Sequence, residues 1–297
     1  MRIALIVALI AACSSKATPK QEPESHRPAD TGAVSEEAFK AMHEPPTEAP
    51  KNLKGQTIDL AGTKAYLSLP AGKGPFPAIV VIHEWWGLNG NIEHWADRFA
   101  AQGWAALAVD LYNGTVATTQ DGAMAAMKGV DEAKASQTIS AAIEFVKTDP
   151  RIAATRRAVI GWCFGGGWSM QTALAHPELD GAIIYYGQLE TDPTKLSAIK
   201  ARVLGIFGTQ DKGIPPETVA KFEDGLKQAK VDAKIYSYDA PHAFANPSNP
   251  KYVQGAATEA WGHVLEFLDQ IKAAPAHAST EPARPMQHAA MSAHVHE

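Results

Sequence analysis

Val159-Ile160-Gly161-Trp162-Cys163-Phe164-Gly165-Gly166-Gly167 is a short apolar run that reaches a cysteine and then passes through three consecutive glycines. An apolar strand that ends at Gly-x-Cys-x-Gly and restarts as a helix reads as a nucleophile elbow, the tight turn that lifts one side chain above the edge of an α/β sheet. Glycine is expected on both sides of the cysteine for a steric reason: the chain doubles back there, and a Cβ at either flank would strike the neighbouring strand or helix. Cysteine stands where serine is commoner. Taken alone, the same residues also describe an inert cysteine buried in a glycine-rich turn, so the reading depends on what the rest of the chain brings beside it.

On both sides of this stretch, strand and helix patterns alternate from about Asn52 to Ala273. Gln56 to Leu60 and Lys64 to Ser68 predict an antiparallel hairpin at a sheet edge. Pro77 to Ile82 is a continuous apolar run, as expected of a parallel strand covered on both faces. Ala105 to Val109, Ala158 to Gly161, Gly181 to Tyr186, Arg202 to Phe207 and Ala233 to Tyr238 predict further strands. Helices are predicted at Asn91 to Gln102, Asp121 to Lys128, Glu132 to Thr148, Gly166 to Ala175, Pro216 to Gln228 and about Ala257 to Ile271. This alternation implies an α/β fold with a mostly parallel, doubly wound sheet, helices on both faces and no large lid.

The segments outside that block are of another kind. Arg2 precedes a short apolar stretch, Ile3 to Ala12, well below the ~20 residues a spanning helix requires. It has the shape of a signal-peptide core over residues 1–12. Ile10-Ala11-Ala12-Cys13 resembles the lipobox of bacterial lipoproteins. That resemblance implies lipid on Cys13 and, with Ser14 following, an envelope protein held at the outer membrane and facing the periplasm. Residues 13–51 are rich in Pro, Glu, Ser, Thr and Ala, and read as a disordered tether. Residues 274–297 read as a disordered tail that carries His277, His288, His294 and His296 with Met286 and Met291, but no repeated ligand spacing. No metal site is assigned to it.

Composition narrows the function classes. The chain is 45% hydrophobic and 20% charged, with a net charge of -5 and a pI near 6.1, which gives no electrostatic case for nucleic acid. Cys13 and Cys163 are the only cysteines, so no disulfide framework is possible. If Cys13 carries lipid, Cys163 is a free thiol in an exported protein.

Ligands of open α/β sheets bind at the carboxyl ends of strands, so the polar residues just past each apolar run are the ones to inspect. Glu84, Cys163, Asp211 and His242 all fall there. The order nucleophile, acid, histidine is that of the α/β-hydrolases. A thiol with an ordinary pKa of about 8.5 is mostly protonated at neutral pH, and attack on a carbonyl needs a base beside it. His242 can take the proton, and Asp211 can fix the imidazole tautomer and stabilise its cation.

His83-Glu84-Trp85-Trp86-Gly87-Leu88-Asn89, Gly161-Trp162-Cys163-Phe164-Gly165-Gly166-Gly167, Gly208-Thr209-Gln210-Asp211 and Pro241-His242-Ala243-Phe244 together resemble the dienelactone hydrolase family. The resemblance implies a Cys-His-Asp triad of Cys163, His242 and Asp211 that opens a lactone or ester through an acyl-thioester, with no cofactor. It also implies that Glu84 pairs with the resting thiol, and a carboxylate there would disfavour the thiolate by like-charge repulsion. Backbone N–H groups of Phe164 and Trp85 are the expected oxyanion donors, and Trp85, Trp86 and Tyr112 are expected to wall the pocket.

One departure bears on substrate. The family's carboxylate-binding arginines fall where this chain has Asn113-Gly114-Thr115 and Asn246, so the dienelactone substrate itself is not carried over. A small-molecule ester or lactone is the expected partner. The competing reading is a non-catalytic envelope lipoprotein that uses the same pocket to bind a ligand, although a binding module has no need of a complete nucleophile system.

Overall fold

A computed structural model of the chain describes residue 40 and residues 52–274. The expected signal peptide, Cys13, the tether apart from Lys40, and the histidine tail lie outside the described residues. Among those described, no helix is long and apolar enough to cross a membrane.

Eight strands form one sheet: β1 Gln56–Leu60, β2 Thr63–Ser68, β3 Ala78–Ile82, β4 Ala105–Val109, β5 Arg157–Trp162, β6 Gly181–Tyr185, β7 Arg202–Gly208 and β8 Ala233–Tyr238. Their spatial order is β1-β2-β4-β3-β5-β6-β7-β8. The β1–β2 hairpin joins β4 antiparallel, and every later pairing is parallel. β3 and β4 are buried along their whole length, which is what their unbroken apolar sequences require of strands covered on both faces.

Within residues 52–274, seven helices complete the fold: α1 Gly90–Ala101, α2 Gln120–Lys128, α3 Glu132–Thr148, α4 Phe164–Ala175, α5 Pro193–Leu196, α6 Pro216–Gln228 and α7 Gln254–Ala273. Two apolar layers flank the sheet. In one, Ile139 and Ile143 of α3, Met170 of α4 and Phe222 of α6 pack with Val80, Leu107 and Ile184. In the other, Phe99 of α1 and Val264 and Phe267 of α7 pack with Ile79, Ala106 and Leu204. Helix starts follow the local chemistry: Asn89 caps α1 by accepting from the Asn91 and Ile92 N–H groups, and Asp131 caps α3 through the Lys134 N–H.

Two expectations need correction. The helix after the elbow begins at Phe164, two residues earlier than the glycines suggest, and its first turn therefore contains Gly165, Gly166 and Gly167. Glycine disfavours helix on its own, but here packing decides: a Cβ on Gly165 would meet the carbonyl oxygens of Ile82 and His83, and one on Gly166 would meet that of Tyr185. β6 ends at Tyr185, because Tyr186 leaves the strand with φ +34°. Lys40 lies against the domain, where its Nζ pairs with Asp121 at 2.7 Å and its carbonyl accepts from the Gln120 side chain at 2.8 Å.

Candidate active site

Cys163 follows directly on β5 with φ +54° and ψ -117°, a conformation L-residues seldom adopt. It is held there by its neighbours. Its N–H donates to the Tyr185 carbonyl at 3.0 Å and its own carbonyl accepts from Gly167 at 3.1 Å. A Cβ on Gly161 would run into the Gly165 carbonyl group, so both flanking glycines serve close approach of backbone to backbone. The turn leaves the thiol buried, only 5% exposed, above the end of the sheet.

Asp211 and His242 arrive from the next two strand ends. The loops that carry them are joined backbone to backbone: Thr209 N–H donates to the Tyr238 carbonyl at 2.7 Å and Gln210 N–H to that of Ala240 at 3.1 Å. Asp211 Oδ1 accepts from the Gly213 and Ile214 N–H groups at 2.8 and 3.1 Å, which turns Oδ2 to His242 Nδ1 at 2.6 Å. The imidazole also lies within the electrostatic reach of the Cys163 sulfur. Burial alone would push His242 down, but the Asp211 carboxylate and the Cys163 sulfur outweigh it and hold the imidazole well above its ordinary value. Burial would raise Asp211 in turn, and the His242 charge and hydrogen bond together with the two backbone donors hold it below the usual carboxylate range. The arrangement therefore favours a proton on the imidazole and a negative charge on the carboxylate.

Glu84, just past β3, is the second buried carboxylic acid of the cluster. Burial pushes it up to about 7, against the opposing effects of the His242 charge and a hydrogen bond from Asn246. Asn246 Nδ2 donates to Glu84 Oε2 at 2.5 Å. The amide is not free to flip, since its Oδ1 accepts from the Ser248 N–H at 2.9 Å and the Ser248 hydroxyl at 2.7 Å. His83 fixes the backbone beside Glu84: its Nε2 accepts from the Leu111 N–H at 3.1 Å, so the proton on Nδ1 donates to the Glu84 carbonyl at 2.6 Å. Burial lowers this imidazole to about 4, which keeps it neutral and the tautomer single.

The expected pocket residues gather at the same edge. Phe164 is the first residue of α4, so its N–H has no partner within the helix and points out of the helix start. Its ring stacks on His83 at 5.6 Å, with Tyr112 edge-on to His83 at 4.6 Å. Trp85 and Trp86 meet edge to face at 4.9 Å and pack with Ala117, Ala123 and Met124. Asp110 accepts from the Tyr112 N–H at 2.8 Å and from the Gly114 N–H, which closes the loop after β4 over itself. Among the described residues, no lysine or arginine charge acts on Glu84, Tyr112, Tyr186, Asp211 or His242.

Two residues at the site had no such place in the sequence reading. Asn246 stood out there only as a missing cation, and its bond to Glu84 depends on a loop 162 positions away. The apolar pattern of Gly181 to Tyr186 predicts Tyr186 as the last residue of a strand. It lies beside Cys163, with its ring 5.0 Å from that of His242. Among the described residues no three His, Cys, Asp or Glu side chains converge as a metal would require.

Residues 63–272 match the model of the dienelactone hydrolase family, well over half of the chain. The chain belongs to the dienelactone hydrolase family. A relative from Salmonella typhimurium, provisionally named carboxymethylenebutenolidase, is 31% identical over 69% of this chain and 82% of its own length. One of the same provisional name from Methylorubrum extorquens is 29% identical over 69% and 76%. In structure, a provisionally named dienelactone hydrolase from Klebsiella pneumoniae superposes with a TM-score of 0.68 at 24% identity, covering 73% of this chain and 98% of that one. Membership of the dienelactone hydrolase family places the protein among carboxylic ester hydrolases.

Proposed function

We propose that this dienelactone hydrolase family member cleaves an uncharged ester or lactone with Cys163 as nucleophile, His242 as general base and acid, and Asp211 as the carboxylate that orients it. The observation that carries the reading is one buried imidazole hydrogen-bonded to a carboxylate at 2.6 Å and close enough to the elbow sulfur to feel its charge. The thiol proton passes to His242 as sulfur adds to the carbonyl carbon, and the raised imidazole and depressed carboxylate favour that charge distribution. The oxyanion is received by the N–H groups of Phe164, at the start of α4, and of Trp85. Collapse breaks the bond to the leaving oxygen, which takes the proton from His242 and leaves an acyl-thioester on Cys163. Water, deprotonated by His242, then adds to the thioester and releases the acid and the thiol.

Glu84 is assigned to the thiol's resting state. When charged, a carboxylate at this strand end would disfavour the thiolate, and with its own titration raised to about 7 it is poised to respond to what enters the pocket. Asn113-Gly114-Thr115 and Asn246 supply no cation for a substrate carboxylate, which supports an uncharged substrate. Lipid on Cys13 and an outer-membrane location facing the periplasm complete the proposal.

The test is turnover of a nitrophenyl acyl ester by the unaltered protein and by Cys163→Ala. The variant should lose at least about a thousandfold in kcat, the scale on which removal of a nucleophile is felt. Unchanged turnover would reject the mechanism.

A further inference from the structure

Tyr186 combines three features that the mechanism above does not use. Its backbone is left-handed at φ +34°, which is uncommon for any non-glycine residue and costly for a bulky one. Its ring is 1% exposed, yet its hydroxyl has no hydrogen-bond partner among the described residues. That hydroxyl feels the charges of Glu84, Cys163 and Asp211. Buried hydroxyls are nearly always partnered, and strained backbone persists where the surroundings over-determine it, most often at functional sites.

Register explains how the residue comes to be there. Trp162 of β5 pairs with Tyr185 of β6, so the next residues of the two strands, Cys163 and Tyr186, leave the sheet side by side. Tyr186 N–H donates to the Ile206 carbonyl at 2.8 Å, and the contact of Gly187 with Gly166 at the start of α4 admits no Cβ on either. The ring is thereby directed across His242 at 5.0 Å, with Phe244 at 5.7 Å behind it. The ring therefore lies beside the imidazole. The leaving oxygen of an ester must face the imidazole, since His242 gives it its proton, while the carbonyl oxygen faces the helix start at Phe164.

We propose that Tyr186 is a further catalytic residue, whose hydroxyl donates a hydrogen bond to the leaving oxygen of the ester as its bond to the acyl carbon breaks. This rests on the hydrolase reading above. The proton delivered to that oxygen comes from His242, and Tyr186 keeps its own throughout. Burial and the surrounding negative charges hold the phenol well above its ordinary value, so it acts as a donor and not as an acid. Among the described residues the donor meets no acceptor, and substrate supplies one at the moment negative charge builds, the condition under which a prearranged donor is most effective.

The experiment compares the unaltered protein, Tyr186→Phe and Cys163→Ala on two esters of one acyl group, a nitrophenyl ester and an alkyl ester. Tyr186→Phe should lower kcat on the alkyl ester by roughly 10- to 100-fold with little change in KM, and by far less on the nitrophenyl ester, whose leaving oxygen is already stable without help. Its melting temperature should be unchanged or higher, because the substitution removes an unpartnered buried hydroxyl and keeps the ring. A merely structural tyrosine predicts a lower melting temperature and no dependence on leaving group. Equal rates for variant and unaltered protein, or equal losses on both esters, overturn the proposal alone. Turnover that survives in Cys163→Ala, or its absence from the unaltered protein, overturns the hydrolase reading and this proposal with it.

Discussion

Glu84 shows how much of this site was legible residue by residue. Its place just past a buried strand marked it as a candidate, and the structure adds that burial lifts it from an ordinary 4.5 to about 7. The consequence for stability has a definite sign. Between those values the unfolded chain has released the proton and the folded chain has not, so stability falls as pH rises. Glu84→Gln removes that penalty: its melting temperature should exceed that of the unaltered protein by more at pH 8 than at pH 5, with roughly 3 kcal/mol as the full span. A gap that stays constant across the range would mean that Glu84 ionises normally. Asn246 and Tyr186 were not legible in this way. The first acquires its role from a partner 162 positions away, and the second from a left-handed turn that an apolar strand ending in Tyr-Tyr-Gly does not announce.

Among the elements, those whose pattern is set by their own residues were read closely: the bounds of β4, α3, α6 and β8 coincide with expectation. Where two elements decide each other the reading slipped. α4 starts two residues early because β3 and β6 press on its glycines, a contact invisible in the local sequence. α5 was not expected at all, since four residues are too few to show a period. The pairing of the loops after β7 and β8 is of this mutual kind. A Cβ on Gly208, the last residue of β7, would run into the Ala240 carbonyl group two residues before His242. Gly208→Ala should therefore push the Asp211 and His242 loops apart, with kcat falling on the order of 100-fold while the fold remains, as an ångström of misplacement can cost that much. Circular dichroism and ester turnover on the same sample check it.

At the scale of the molecule, the mostly parallel sheet with helices on both faces followed from the alternation of strands and helices, whereas the strand order came only from the structure. The proposed attachment to a membrane resides instead at the chain's beginning. Cys13→Ser should abolish incorporation of radiolabelled palmitate and move the protein out of the membrane pellet. Retention of both label and pelleting in that variant would rule out Cys13 as the anchor point. Finally, consider how little of Cys163 faces outward, 5% of the residue. Bulky disulfide reagents and large alkylating agents meet a wall of packed aromatic rings before they meet sulfur, and seclusion of that kind selects inactivators by shape more than by reactivity. A covalent inhibitor of this protein would have to resemble an ester first and an electrophile second.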